Sequence, residues 1–216
     1  MVRIMSKEKK KKKLPNGGYR FFRATLGVIF RFWYRPTVIN KEVIPKEGPI
    51  LICADHIHLF DQCGIIISTK RVIHYMAKIE YWQSWKTRWF FNAAGCIPVN
   101  RQIHDEDAKE AALEVLKDGG AIGIFPEGTR NKTKEFLLPF KFGAVSMAKK
   151  TDATIVPVGI TGTYKFRTKN LMVRFGEPFK VGDMSLEEAN EKLRDSVANL
   201  MRKNEMEQRK KRRTAK

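Results

Sequence analysis

Cysteine is scarce in this 216-residue chain: Cys53, Cys63 and Cys96 are odd in number and never stand in C-x-x-C spacing. That excludes a disulfide framework and argues against a cysteine zinc site; buried thiols in a reducing compartment fit better. Long apolar runs are also missing from the front. Within Tyr19–Tyr34 the longest uncharged stretch is Ala24–Phe30, far short of the roughly 20 apolar residues that a bilayer-spanning helix needs. There is no G-x-G-x-x-G, no P-loop and no internal repeat, so no dinucleotide or P-loop nucleotide site is expected. The early charged run leads into Gly17, Gly18, Arg20 and Arg23 with no small-residue cleavage pattern, so a secretory signal is not expected either.

Acidic side chains are few: 23 Asp and Glu face 42 Lys and Arg, for a net charge of +19. Residues 1–35 hold eleven cations against Glu8 alone, and residues 201–216 hold eight against Glu205 and Glu207, so the span between them carries only +3. A near-neutral body with basic ends predicts a polyanionic partner, either anionic lipid or nucleic acid. RNA-binding folds interleave stacking aromatics with their cations, and no aromatic follows Arg202. The front segment differs. As a helix it carries Phe22, Leu26, Ile29, Phe30 and Trp33 bordered by Arg20, Arg23 and Arg31, the pattern of a helix lying in a membrane interface. The competing readings are a helix packed on the domain's own core and, for the C-terminal run, a solubilising tail. An anionic membrane surface is the expected partner, and nucleic acid is not.

What is abundant is alternation. With 43% hydrophobic residues the chain is expected to form one globular domain with appendages. Strands are predicted at 49–54, 72–76, 97–99, 121–125, 154–160 and 171–175. Helices are predicted at 60–69, 80–94, 105–117 and 142–150, and a last one is opened by the Ser185/Glu188 capping box. Strands alternating with helices predict an α/β fold, a layered mixed or largely parallel sheet flanked by helices. The expected division is a membrane-association segment at 1–35, a catalytic domain at 36–183, and a C-terminal helix with a basic tail at 184–216.

Three stretches carry chemistry. His56 and Asp61 form an H-x4-D pair just past an apolar strand. Five positions across a turn allow Asp61 to meet the Nδ1–H of His56, leaving Nε2 to accept a proton; two satisfied polar loop residues would look the same. Metal binding is not expected. His56-Ile57-His58 resembles a zinc-hydrolase start, but that pattern needs Asp and His where Phe60 and Asp61 stand, and His74 and His104 lack ligand-like neighbours. Gly95–Arg101 is strand-like and ends in a cation, which is also how an ordinary surface arginine looks. Phe125-Pro126-Glu127-Gly128-Thr129-Arg130 is more specific: a strand turns at Gly128 and presents Thr129 and Arg130, whose guanidinium matches phosphate oxygens bidentately.

Taken together, His56/Asp61, Gly95–Arg101, Phe125–Arg130 and Val156-Pro157-Val158-Gly159-Ile160, in that order, resemble the glycerolipid acyltransferase family of 1-acyl-glycerol-3-phosphate acyltransferases. Leu138–Ala144 matches the family's stretch just past the third block, and the likeness covers roughly residues 36 to 180. Two positions depart from the pattern: Asp55 stands where the family has Asn, and His58 where it has Ser.

The resemblance implies a reaction and its parts. His56 would be the base on the acceptor hydroxyl and Asp61 would support the imidazolium. Arg101 and Arg130 would hold a phosphate, with Glu127, Gly128 and Thr129 shaping that site and Lys141 assisting. The donor would be acyl-CoA or acyl carrier protein, the acceptor lysophosphatidic acid and the product phosphatidic acid, with no cofactor. Glycerol 3-phosphate or another lyso-acceptor is the alternative within the family. The implied location is peripheral, on the cytoplasmic face of the cell membrane.

Overall fold

The run Ile50–Ala54 is apolar throughout and every residue of it is buried. Such a strand belongs in the middle of a parallel sheet covered on both faces, and it pairs in parallel with Ala121–Ile124 on one side and Thr154–Thr161 on the other. The computed structural model describes residues 17–100, 102–103 and 105–214. In chain order these form α1 (Gly17–Tyr34), β1 (Thr37–Ile39), β2 (Ile50–Ala54), α2 (Asp61–Ile66), β3 (Ile73–Lys78), α3 (Trp85–Ala93), β4 (Ile97–Val99), α4 (Glu106–Lys117), β5 (Ala121–Ile124), α5 (Gly143–Thr151), β6 (Thr154–Thr161), β7 (Met172–Phe175) and α6 (Leu186–Thr214). The seven strands lie in the order β1-β7-β6-β2-β5-β3-β4. All neighbours are parallel except β6 and β7, so the expected α/β sheet, mixed and largely parallel, is what the chain forms.

Side chains alternate across the pleat. Leu51, Cys53, Ile122 and Ile155 meet α4, α5 and α6 on one face, while Ile50, Ile52, Val156 and Val158 meet α1 and α2 on the other. All three cysteines are unpaired, and burial pushes the Cys63 and Cys96 thiols up to about 12.

Three elements differ from the sequence expectation. The helix expected over 60–69 ends at Ile66, where the Ser68 hydroxyl donates back to the Gly64 carbonyl at 2.7 Å and competes with further helix. The helix expected over 80–94 is split by an extended Ser84 into a 3-10 turn, Ile79–Trp82, and α3. Contacts across the break hold it: the Trp82 indole donates to Asn92 at 2.7 Å and Arg88 donates to the Trp82 carbonyl at 2.8 Å. The C-terminal basic run is helical through Thr214. Its start is the expected capping box, with Ser185 N–H donating to the Glu188 carboxylate and Glu188 N–H to the Ser185 hydroxyl.

Helix α1 divides its faces. Tyr19, Gly27 and Phe30 are buried, and Arg23 and Arg31 donate to carbonyls at the end of α2. Phe21, Val28, Ile29, Phe32 and Trp33 stay exposed, as do Trp85 and Trp89 of α3. Among the described residues no helix is long and apolar enough to cross a membrane. The Lys7–Lys13 run lies outside the described residues.

Candidate active site

In a parallel sheet, ligands gather at the carboxyl ends of the strands. Here β2 delivers Asp55 and His56 to that edge, and β5 delivers Phe125 to Arg130 beside them. Asp61, the first residue of α2, is fully buried and collects four donors. Its Oδ2 accepts from His56 Nδ1 at 2.8 Å, Ile57 N–H at 2.8 Å and His58 N–H at 2.7 Å. Its Oδ1 accepts from the Tyr164 hydroxyl at 2.5 Å. Oδ2 already takes two amide protons, so the hydrogen toward His56 sits on Nδ1 and Nε2 keeps its lone pair. The imidazole lies flat on Phe125, with centroids 4.0 Å apart and planes 12° apart. Ring and tautomer are thus both fixed, and 17% of the His56 side chain is open to solvent against none of Asp61.

Glu127 is 4% exposed. One carboxylate oxygen accepts from His56 N–H at 2.7 Å and the other from Leu138 N–H at 3.0 Å. Burial raises its carboxyl above the usual range, and the two amides pull the other way. This side chain ties the turn that carries His56 to the segment after the third motif. Gly128 has φ +71°, and a Cβ there would sit 2.9 Å from Lys141 Cε. The left-handed backbone is what favours glycine here, and the end of the flexible Lys141 side chain lies across it. Thr129 and Arg130 are exposed. Arg101 and His104 lie outside the described residues.

Two cavities meet at His56. One, of about 370 Å³, runs among Tyr19, Phe22, Leu26, Ile66, Phe90 and Phe91 and also takes in Thr129, Arg130 and Lys132. The other, of about 320 Å³, is lined by Val99, Asn100, Asp105, Gly128 and Lys141. His56, Tyr75, Met76 and Phe125 border both. His56, Asp61, Glu127, Gly128, Thr129, Arg130 and Lys141 are therefore gathered in one region. No group of His, Cys, Asp and Glu among the described residues could hold a metal.

Two further residues stand at the site: Tyr164, which carries no sequence signal, and Asp55, marked in the sequence only as a departure from the family pattern. Tyr164 reaches Asp61 across 103 positions, from a loop with no motif. Asp55 is 1% exposed; its Oδ1 accepts from Ile160 N–H at 2.7 Å and its Oδ2 has no hydrogen-bond partner among the described residues. Burial pushes this carboxyl well above the usual range, with the charges of Asp61 and Glu127 adding to it. The folded chain holds a proton that the unfolded chain releases near about pH 4, so stability falls as pH rises from there. Asp55→Asn keeps the acceptor for Ile160 and has no proton to lose. Its melting temperature should exceed that of the unsubstituted chain at neutral pH, by about 2–4 °C per kcal/mol. The gain should shrink toward about pH 4; a gain equal at every pH would remove ionisation as its cause.

The profile of the acyltransferase family matches residues 35–161. The 1-acyl-sn-glycerol-3-phosphate acyltransferase of Bacillus subtilis is 30% identical over 181 residues, which is 81% of this chain and 89% of that protein. The enzyme of the same name from Borreliella burgdorferi is 34% identical over 64% of this chain and 56% of its own length. Among solved structures, the 1-acyl-sn-glycerophosphate acyltransferase PlsC of Thermotoga maritima superposes with a TM-score of 0.66 at 25% identity, covering 88% of this chain and 87% of that one. With a His-Asp pair at the sheet edge and a family profile that spans more than half its length, this chain belongs to the acyltransferase family.

Proposed function

We propose that the chain transfers an acyl group from an acyl thioester to the free hydroxyl of 1-acyl-glycerol-3-phosphate, giving phosphatidic acid. The observation that carries this reading is the position of His56: its ring borders a cavity walled by Phe22, Leu26, Phe90 and Phe91 that also takes in Arg130 and Lys132, and its Nδ1 is committed to Asp61. The names of the relatives point the same way.

His56 Nε2 takes the acceptor's hydroxyl proton as that oxygen attacks the thioester carbonyl, and Asp61 stabilises the imidazolium. The tetrahedral adduct collapses by breaking the C–S bond, and the departing thiolate takes the proton back from His56. Ester and free thiol leave, and His56 is again neutral. The cavity walled by Phe22, Leu26, Phe90 and Phe91 suits an acyl chain. Arg130, at the rim of that cavity, supplies a fork for the acceptor's phosphate. Arg101, Thr129 and Lys141 are the further phosphate contacts. Acyl-CoA and acyl carrier protein both meet the chemical requirement for the donor.

The acceptor resides in a bilayer, and the exposed outer face of α1 with Trp85 and Trp89 gives the domain an apolar surface to set against it. That face and the basic front run make the chain a peripheral protein of the cytoplasmic membrane surface.

The test is purified chain with both donors and a panel of lyso-acceptors, the products being identified by mass. Phosphatidic acid should form from lysophosphatidic acid in preference to acceptors without a phosphate; equal use of those would overturn the acceptor assignment. Arg130→Lys keeps the charge and loses the fork, so KM for the acceptor should rise. Arg130→Ala removes a charge-assisted contact of about 1.5–3 kcal/mol, or roughly 10–150-fold in kcat/KM. Unchanged kinetics in both variants would place the phosphate elsewhere.

A further inference from the structure

Helix α6 is longer than its packing requires. Its last buried residue is Asn204, and its last tertiary contacts are made by Glu207, which takes Arg174, and Gln208, which donates to the Asn170 carbonyl at 2.8 Å and the Thr161 hydroxyl at 3.3 Å. Residues 209–214 are all exposed and extend the helix about 9 Å further at 1.5 Å per residue. Lys211 pairs with Glu207 at 2.9 Å. Arg209, Lys210, Arg212 and Arg213 make no ion pair among the described residues. Thr161 ends a strand parallel to β2, so the overhang leaves the sheet at the same edge as His56.

The loop between β6 and β7, to which Gln208 bonds, is its companion. Between Gly162 and Asn170 it carries Lys165, Arg167 and Lys169 and no acid. Arg167 and Lys169 hold left-handed backbone, with φ of 53° and 52°, a conformation that costs a non-glycine residue energy. The loop is also fastened to the end of α1. Arg167 N–H donates to the Trp33 carbonyl at 2.7 Å, the Phe166 ring meets Trp33 edge-on at 4.7 Å, and the Arg167 guanidinium lies 5.2 Å over Phe32. Phe32, Trp33 and Phe166 are nevertheless 57%, 48% and 53% exposed.

We propose that the α6 overhang and the 163–169 loop together form a contact for anionic lipid headgroups on the rim of the active site. It adjoins the outer face of α1 at Phe32 and Trp33 and adds cations beside them, and it rests on the reading of this enzyme as one that works at a bilayer. Cations interleaved with half-exposed aromatics match the headgroup level of a membrane, where Trp, Lys and Arg gather. Single-stranded nucleic acid would need open ring faces to stack on, and Arg167 already lies over one face each of Phe32 and Phe166. An acidic protein would have no use for the exposed rings. Tyr164, in the same loop, bonds Asp61, so headgroups held here would lie beside the catalytic pair and turn the cavity mouth toward the lipid.

The test uses the full chain and vesicles of phosphatidylcholine with or without phosphatidylglycerol, at low and high salt. The variant R209Q/K210Q/R212Q/R213Q keeps the helix and removes four unpaired cations. It should partition at least about tenfold more weakly into anionic vesicles at low salt, with the difference fading at high salt and unchanged binding to neutral vesicles. Lys165→Gln with Lys169→Gln should give a smaller loss in the same direction. Turnover of a short-chain acceptor free in solution should be unchanged in both. Anionic-vesicle binding equal to that of the unsubstituted chain overturns the proposal. So does unchanged vesicle binding with a lower rate from an acyl carrier protein donor, which would make the patch a dock for an acidic protein. The vesicle measurement needs no turnover, so failure of this surface and failure of the proposed reaction are read separately.

Discussion

His56→Ala should lower acyl transfer by at least about 100-fold, the usual cost of losing a general base, with little change in melting temperature. The His56 side chain is partly open to solvent and makes one side-chain hydrogen bond, whereas its backbone N–H and carbonyl, which bond Glu127 and Asn131, survive the substitution. Asp61→Asn should also cripple turnover, and here stability should fall as well. Asp61 Oδ2 serves two amides besides His56, and an amide group in its place brings an N–H donor into a cluster of donors. Tyr164→Phe separates positioning from packing. The ring stays on His58, from which its centroid is 4.1 Å away, while Asp61 Oδ1 loses its donor. Asp61 is then held by three donors instead of four and orients the His56 ring less firmly. Turnover should therefore fall in Tyr164→Phe, with KM for the acceptor little changed and the fold intact. A His56→Ala enzyme that turns over near the original rate would end the base assignment, whatever the other two variants do.

Glu127→Ala should be nearly as damaging, by a different route. The family resemblance implies that Glu127 shapes the phosphate site with Gly128 and Thr129. The structure places its carboxylate underneath, accepting the His56 and Leu138 amides. Removing it leaves two part-buried N–H groups unpaired, each losing a charge-assisted bond of about 1.5–3 kcal/mol. The turn that carries His56 would lose its tether to the other motif. The expected result is a fall in kcat and in melting temperature with KM for the acceptor little changed. A phosphate-site residue would do the reverse, raising KM and sparing stability. Glu127→Gln retains one acceptor oxygen and should fall between the two. A KM effect alone in Glu127→Ala would return this side chain to the substrate.

Much of this chain is legible without coordinates, for reasons that are local. The all-buried β2 reads as a central parallel strand because both of its faces are apolar. The start of α6 reads from Ser185 and Glu188 because a capping box is a three-residue interaction. His56 and Asp61 read as a pair because five residues across one turn keep their side chains within reach. Gly128 reads as a turn because left-handed backbone favours glycine. In each case the residues that determine the structure are neighbours in the chain, so the pattern and its physical cause occupy the same short window.

Tertiary structure decided the rest. No spacing rule brings Tyr164 to Asp61 or Ile160 to Asp55; parallel strands with helices between them join residues a hundred positions apart, and register alone selects the partner. The break at Ser84 is held by Trp82, Arg88 and Asn92 across a gap that helical periodicity does not see. Helix α1 matched two competing readings from sequence, core helix and interface helix, because an amphipathic pattern says that one face is buried and not against what. The fold gives each face its own answer: Tyr19, Gly27 and Phe30 pack inward while Phe32 and Trp33 stay outside. Burial against a sheet is a property of the whole chain, and it is what sets the Glu127 carboxylate beneath the turn that carries His56, where it accepts the His56 and Leu138 amides.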